Sequence, residues 1–363
     1  HAGVTNRMSR EGVIHFVYAI PYPQSHFWER VLRAYERLSS AHGVLPAWYR
    51  SGWLPAKQIP MPAPGSITLN LYRYLRKYLP TALYDWQEEG EINFKPDDIV
   101  LGHPHPNPST LIQRAVLSNR RCKLKALIFP MHHGIPSINE FTLPLLERAD
   151  VVFGIMGKYW YDTLDNSQFA PWKHKIIRLD MAIDAVQYPF IKQHFNPPGR
   201  RGYIYIGSNR PEKGPKILSE TMARLSDFPK GWVGFGPDIP NVPRIATYTH
   251  LTPSFISMLA KTFDIFVNTS ISDANPATIL EAMSWGFPVA CTPQSGYYNI
   301  PSVIKISTTD IMANVRALLE LQYAPEEYLV WISRTNRRLV ETHCTWERFC
   351  TTVWQALKPY VRD

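Results

Sequence analysis

Short runs of β-forming apolar residues recur along this chain. Each gives way to a glycine-, proline- or polar-rich loop and then to a stretch with helical apolar spacing. Val13–Ile20, Ile99–Leu101, Ala126–Phe129, Val151–Ile155 and Ile176–Leu179 form one series; Tyr203–Ile206, Val233–Phe235, Asp264–Asn268, Val289–Thr292 and Val303–Ile306 form a second. Apolar residues at consecutive positions fit a parallel strand covered on both faces, and the intervening helices supply the covers. A chain of 363 residues exceeds one ordinary core and accommodates two such units. Between the two series, Tyr188–Arg201 carries three prolines, a glycine and several charges, the composition of a linker. The predicted architecture is therefore α/β, with two Rossmann-like domains over about 1–190 and 191–345 and a last helix, Trp346–Tyr360, within the segment 346–363.

Other stretches are less regular. Phe27–Ser39 has helical spacing, and the proline-rich stretch Trp48–Gly65 reads as a loop. The polar run His1–Arg7 lacks the apolar core of a signal peptide, and Met8 reads as a natural start. With 45% hydrophobic and 19% charged residues the composition is globular, and no apolar run reaches the roughly 18 residues of a membrane-spanning helix. Cys122, Cys291, Cys344 and Cys350 are scattered without metal-ligand spacing, as reduced thiols of a cytoplasmic protein would be. The formal charge of +9 favours anionic partners, among which nucleic acid is the weakest because no nucleic-acid-binding motif is present. Leu69–Leu83 sets Arg73, Arg76 and Lys77 among leucines and tyrosines. That pattern fits a peripheral contact at the inner face of a membrane, and equally a core helix with a solvated basic face.

The run from Ser272 to Val289 is the most informative in the chain. Asn275 is a preferred N-cap, Pro276 a preferred first helical residue, Gly286 a natural left-handed C-cap and Pro288 a stop. The amides of Ala277 and Thr278 then have no partner inside the helix and, with its dipole, make a site for an anion such as a diphosphate. Asp273 precedes that end and Glu281 lies on the second turn. Two acids beside a phosphate are useful only if they accept hydrogen bonds from neutral hydroxyls, an order that fits a nucleotide sugar. An ordinary cap and a solvated glutamate would leave the same pattern.

Tyr203–Ile206 enters a loop bounded by Gly207 and Gly214, where Arg210 and Lys213 could meet a leaving diphosphate, as could any solvated turn. Gly102-His103-Pro104-His105 and His132-His133-Gly134 follow strands, at the ends where open α/β sheets place their ligands. A histidine there can orient a hydroxyl or move a proton, although an ordinary loop histidine looks the same. No carboxylate accompanies these histidines at a familiar spacing, so no metal site is expected.

Glu281-Ala282-Met283-Ser284-Trp285-Gly286-Phe287-Pro288-Val289 resembles the Glu-Ala-Met-x-x-Gly-x-Pro-Val signature of the retaining glycosyltransferases of family 4 (glycosyl transferases group 1), which have the GT-B fold. Asp273 stands where that family has its first glutamate, and Asn275-Pro276 replaces a frequent Phe-Gly pair. Gly207–Gly214 is similar to the family's Gly-Arg-Leu-x-Pro-Glu-Lys-Gly loop: Lys213 matches the lysine, Ser208 occupies the arginine's place, and Arg210 stands two residues later. The resemblance implies a nucleotide-sugar donor, UDP- or GDP-linked, with Glu281 on the ribose hydroxyls and Asp273 toward the sugar. The β-phosphate would lie on the amides of the Asn275–Thr278 segment, with Lys213 and Arg210 on the diphosphate. It also implies that one histidine approaches the donor sugar, His105 first, then His103, with His133 third. The last helix would cross back onto the first domain. A glycan, a lipid-linked sugar or a small molecule would be the acceptor, anomeric configuration would be retained, and no metal would be required. A nucleotide-sugar epimerase and a catalytically silent nucleotide-sugar-binding subunit remain as alternatives. The family's Gly-Gly pair is absent after the first strand, and nothing over Trp48–Trp86 matches it.

Overall fold

The computed structural model describes residues 12–20, 63–118, 121–247 and 251–361. The expected helix Phe27–Ser39 and most of Trp48–Gly65 lie outside them. In the first half, β1 (Ile14–Tyr18) is followed by α1 (Ala63–Leu75), β2 (Thr81–Asp85), β3 (Ile99–Gly102), α2 (Leu111–Leu117), β4 (Leu124–Pro130), α3 (Leu143–Arg148), β5 (Val151–Ile155), α4 (Lys158–Asp162) and β6 (Ile176–Leu179). The strands make one parallel sheet in the order β2-β1-β3-β4-β5-β6, with Phe16 in register with Leu83 on one side and Leu101 on the other. Side chains alternate between its two faces. Phe16, Leu101, Ile128 and Phe153 join the core that contains Leu71 and Leu75 of α1. Val17, Val100, Leu127 and Val152 pack with Ile112 of α2 and Leu146 of α3. Burial on both faces is the reason these strands read as unbroken apolar runs.

The second half repeats the pattern with β7 (Tyr203–Ile206), α5 (Pro215–Ala223), β8 (Lys230–Val233), β9 (Arg244–Ala246), α6 (Pro253–Thr262), β10 (Ile265–Asn268), α7 (Ala277–Trp285), β11 (Val289–Cys291) and β12 (Ile304–Lys305). Its parallel order is β12-β11-β10-β7-β8-β9. Three helices complete it: α8 (Ile311–Tyr323), α9 (Glu326–His343) and α10 (Trp346–Leu357). Two strands, β2 and β9, were not expected. β2 sits at a sheet edge with only Leu83 fully buried, and β9 has no buried residue, so neither leaves an apolar run to read. The strand expected at Val233–Phe235 occupies Lys230–Val233 instead, because Gly234 and Phe235 belong to the turn beyond it. The proline-rich stretch ends earlier than expected, since Ala63–Gly65 already belong to α1.

The charges of the linker have structural work. Lys192 is buried 2.7 Å from Asp264, and Arg201, fully buried, donates to the carbonyls of Asn196, Leu321 and Ala324. In α1, Leu71, Tyr72 and Leu75 are buried while Arg73, Arg76 and Lys77 are exposed or follow the helix into solvent, with Arg76 over the Tyr72 ring. It is a core helix with a solvated basic face, and it ends well before Leu83. Among the described residues no helix is long and apolar enough to cross a membrane. All four cysteines are free thiols, three of them buried.

The last helix crosses back. α10 lies against α1: the hydroxyls of Tyr74 and Thr351 are 2.7 Å apart, and the Tyr78 ring stacks on Trp354 with centroids 4.4 Å apart. Val353 and Leu357 are fully buried on the inner side of the helix. Truncating Leu357 to alanine is expected to cost about 2–4 kcal/mol of stability, the usual range for emptying a buried leucine site. Urea unfolding would show it; a loss below about 1 kcal/mol would mean that α10 is not anchored through this residue.

Candidate functional site

In an open parallel sheet, ligands bind beyond the carboxyl ends of the strands where the strand order reverses. In the second sheet that point lies between β7 and β10. The loops leaving these two strands are bound to each other. Thr269 Oγ1 donates to the Gly214 carbonyl at 2.9 Å, and the Glu212 carbonyl accepts from the amides of Ile271 and Ser272 at 2.9 and 3.1 Å. Gly207 begins the first loop, and its carbonyl accepts from the Trp232 indole at 2.7 Å.

Across this junction Lys213 Nζ and Asp273 Oδ2 form an ion pair whose side chains are only 18% and 14% exposed. Arg210 behaves differently. It is 65% exposed; its Nε donates to Ser208 Oγ at 3.1 Å and is ion-paired with Glu212 Oε1 at 3.1 Å. Of the two basic residues expected on a diphosphate, Lys213 is the one already engaged with the other loop. Ala277 and Thr278 form the partly exposed first turn of α7, and Gly286 (φ 96°) ends it in the left-handed conformation. The helix begins one residue later than expected, with Pro276 as N-cap. Asn275 does not cap it, because its Oδ1 accepts from the Met181 amide at 2.5 Å, beyond the end of β6.

Glu281 is buried on the second turn of α7. Its Oε1 accepts from the Tyr188 hydroxyl at 3.3 Å, while Oε2 is buried with no hydrogen-bond partner. Burial raises its pKa to about 7, against a smaller opposing effect of the Tyr188 hydrogen bond. A buried carboxylate oxygen without a donor is unfavourable by roughly 1–3 kcal/mol or more, and a ligand hydroxyl would remove that penalty.

The first half closes over this surface. The Trp160 indole donates to the Asp273 carbonyl at 2.7 Å, and the Gly157 amide to the Ala274 carbonyl at 2.9 Å. Contact is tightest at Gly157, where a Cβ would lie 1.9 Å from the Gly296 carbonyl oxygen. His132 Nδ1 is 2.7 Å from Ser272 Oγ. Burial holds the His132 pKa below its usual value; Asp273 opposes this and Lys213 adds to it. His133 instead bonds Thr163 Oγ1 through Nε2 at 2.8 Å and sets its ring edge against Trp160.

Of the other two histidines, His103 is wedged between Tyr18, Trp86 and Phe129. Its Nδ1–H donates to the Pro104 carbonyl, and burial pushes its pKa down to about 4. His105 keeps its own loop in shape: its Nδ1 accepts from the Asn107 amide and its carbonyl from Gln113. Both histidines follow β3, at the reversal point of the first sheet. His132, Ser272, Trp160 and Tyr188 were not singled out from the sequence. His132 and His133 are adjacent, and only the direction of the chain leaving β4 separates the one that meets the second half from the one that does not. Among the described residues no group of three or more histidines, cysteines and carboxylates is placed to hold a metal.

No protein-family model matches the sequence, and no curated protein sequence does. Solved structures resemble the fold. A glycosyltransferase from Rickettsia africae superposes with a TM-score of 0.55 at 12% identity, covering 97% of this chain and 99% of that one. The UDP-forming α,α-trehalose-phosphate synthase of Burkholderia xenovorans, solved with glucose 6-phosphate, gives 0.54 at 11% identity over 96% and 100%. The sucrose-phosphate synthase of Thermosynechococcus elongatus gives 0.54 at 14% identity over 96% and 98%. The chain thus has the GT-B fold of glycosyltransferases: two Rossmann-like domains face each other, and the last helix returns to the first.

The buried carboxylate gives a pH signature. Glu281 ionises near 4.5 when unfolded and near 7 when folded. Its raised folded pKa supports folding fully below pH 4.5, and that support is lost as pH rises through 7. Glu281→Gln carries no charge to bury, so the ligand-free variant should exceed the parent in stability at pH 8 by on the order of 2–3 kcal/mol, with no gain at pH 4.5. Urea unfolding at the two pH values checks this. A variant less stable than the parent at both would show that the ionised carboxylate holds the fold together.

Proposed function

We propose that this chain is a glycosyltransferase that moves a sugar from a nucleoside-diphosphate donor to an acceptor hydroxyl with retention of configuration. The observation that carries the reading is Glu281: a buried carboxylate oxygen with no donor, on a helix that begins beside Lys213 and Asp273 at the strand reversal point. Ribose hydroxyls supply the missing donors to Glu281. The diphosphate takes the amides of Ala277 and Thr278 together with Lys213, and Lys213 exchanges Asp273 for phosphate as the donor enters. Asp273, released from its partner, then accepts from a hydroxyl of the sugar.

Transfer proceeds by front-face displacement. The bond between the anomeric carbon and the phosphate oxygen breaks, the leaving diphosphate is stabilised by Lys213 and the helix amides, and the acceptor oxygen attacks from the same face. The acceptor hydroxyl gives its proton to the departing phosphate oxygen, so the step balances without a covalent enzyme intermediate and without a metal. On the first half, His132 meets Ser272 of the second, while His133 lies against Trp160 and His105 and His103 follow the neighbouring strand β3. The acceptor is a glycan, a lipid-linked sugar or a small molecule.

Lys213→Ala should weaken binding of UDP or GDP by about 1.5–3 kcal/mol, roughly ten- to a hundredfold. Titration calorimetry with both nucleotides reads this directly. Incubating the parent protein with UDP- and GDP-sugars and following products by NMR tests the chemistry: an α-linked donor should give an α-linked product. Nucleotide binding with no turnover on any donor would make the chain a silent binding subunit. A product sugar changed in configuration but not transferred would make it an epimerase. Unchanged nucleotide affinity in Lys213→Ala would remove the phosphate assignment itself.

A further inference from the structure

Beyond the seam between the halves, where α9 ends and α10 begins, lies a cavity of about 420 Å³. Its walls come from three parts of the chain: the end of β6 with Arg178 and Asp180, the loop Tyr297–Ile300 that follows β11, and the turn from His343 to Arg348. Tyr297 separates it from the candidate nucleotide site. That side chain is buried, and its hydroxyl donates to the Pro276 carbonyl at the start of α7 at 3.0 Å. The cavity is therefore a second space, on the other side of Tyr297 from the anion-binding turn.

Its charge is unbalanced. Two arginines line it against a single carboxylate, Asp180, which is already taken by Arg178 at 2.7 Å. Arg348 has no ion-paired carboxylate among the described residues. Beside it, His343 is engaged at Nδ1 with the Thr342 hydroxyl at 2.7 Å, which leaves its second ring nitrogen for a ligand. An anionic group placed against Arg348 and His343 gains charge-assisted hydrogen bonds. The remainder of the lining mixes groups that pair with hydroxyls (Asp180, Asn299, Thr352) and an apolar floor that includes Phe349. The volume is in the range of small-molecule sites, roughly 300–1,000 Å³, and several times what a bare phosphate fills.

We infer that this cavity is a binding site for a small anionic polyol, of the class of a hexose phosphate. The phosphate lies toward Arg348 and His343, and the hydroxyls lie toward Asp180 and Asn299. A ligand so placed touches the first sheet, a loop of the second and the helix junction through which the chain returns. Binding there stiffens the relation between the two halves without occupying the nucleotide site.

Calorimetry on the full chain with glucose 6-phosphate, inorganic phosphate and glucose tests the assignment. Glucose 6-phosphate should bind one to one, at least tenfold tighter than either fragment. Arg348→Ala, an exposed helix position, should weaken it at least tenfold while leaving UDP affinity unchanged. Thr352→Phe, which fills the cavity without removing charge, should do the same. The inference is overturned if glucose 6-phosphate does not bind, if inorganic phosphate binds as tightly, if neither substitution matters, or if UDP displaces it. Nucleotide binding is measured separately in the same protein, so this reading and the transferase reading fail independently.

Discussion

Three consecutive residues, Asp273, Ala274 and Asn275, hold the two halves of the molecule together. Their acceptors are filled by donors from three different places in the first half: the Trp160 indole, the Gly157 amide and the Met181 amide. Each bond is short and largely shielded, and losing any of them would strand a buried polar group. The backbones come so close at Gly157 and Gly296 that only a residue without Cβ fits. The same short segment feeds directly into Pro276 and the first turn of α7, and the Asp273 side chain holds Lys213. The seam and the first turn of α7 are thus one piece of structure. Displacing the halves would also displace the groups proposed to face the donor.

Around that piece the charges are held in reserve. Lys213 is matched by Asp273, burial holds the pKa of His132 below its usual value, and Glu281 is buried with one oxygen unpaired. The last of these is not what stability alone would select, since a buried carboxylate oxygen without a donor works against folding. Such conflicts concentrate where a ligand resolves them. The contrast with Lys192 and Arg201 is instructive. Those cations, more deeply buried than Lys213, are paired with Asp264 or bonded to backbone carbonyls, and they fasten the linker.

Much of the architecture was legible because parallel strands buried on both faces must be apolar throughout, as β5 and β7 are. The edge strands β2 and β9 escaped that rule because a sheet edge places no such demand on their residues. The turn at Gly286 and the helix before it followed from local capping chemistry. Asn275 shows where that chemistry stops: its preference for capping a helix was overridden by a partner 94 positions away, which no local rule contains. Arg210 and Lys213 lie three residues apart in one loop, yet one turns to Glu212 in solvent and the other to Asp273. Spacing along the chain could nominate both, and only the meeting of two loops distinguishes them. His132 was passed over for the same reason, since its partner Ser272 belongs to the other half.

The return of α10 to α1 has a consequence for the order in which the molecule can be made. Tyr74 and Thr351, which meet in that contact, are separated by 277 residues of chain. At ribosomal speeds of about 5–20 residues per second, α1 emerges on the order of 15–55 s before the helix that covers it. Throughout that interval Tyr74 and Tyr78 lack Thr351 and Trp354, and the first sheet has one of its covering layers incomplete. The second half, by contrast, has every strand of its sheet by Lys305 and can close while α10 is still being synthesised. The half made first is therefore finished last, and a nascent chain paused before Trp346 would carry a completed second sheet beside a first half still missing its final helix.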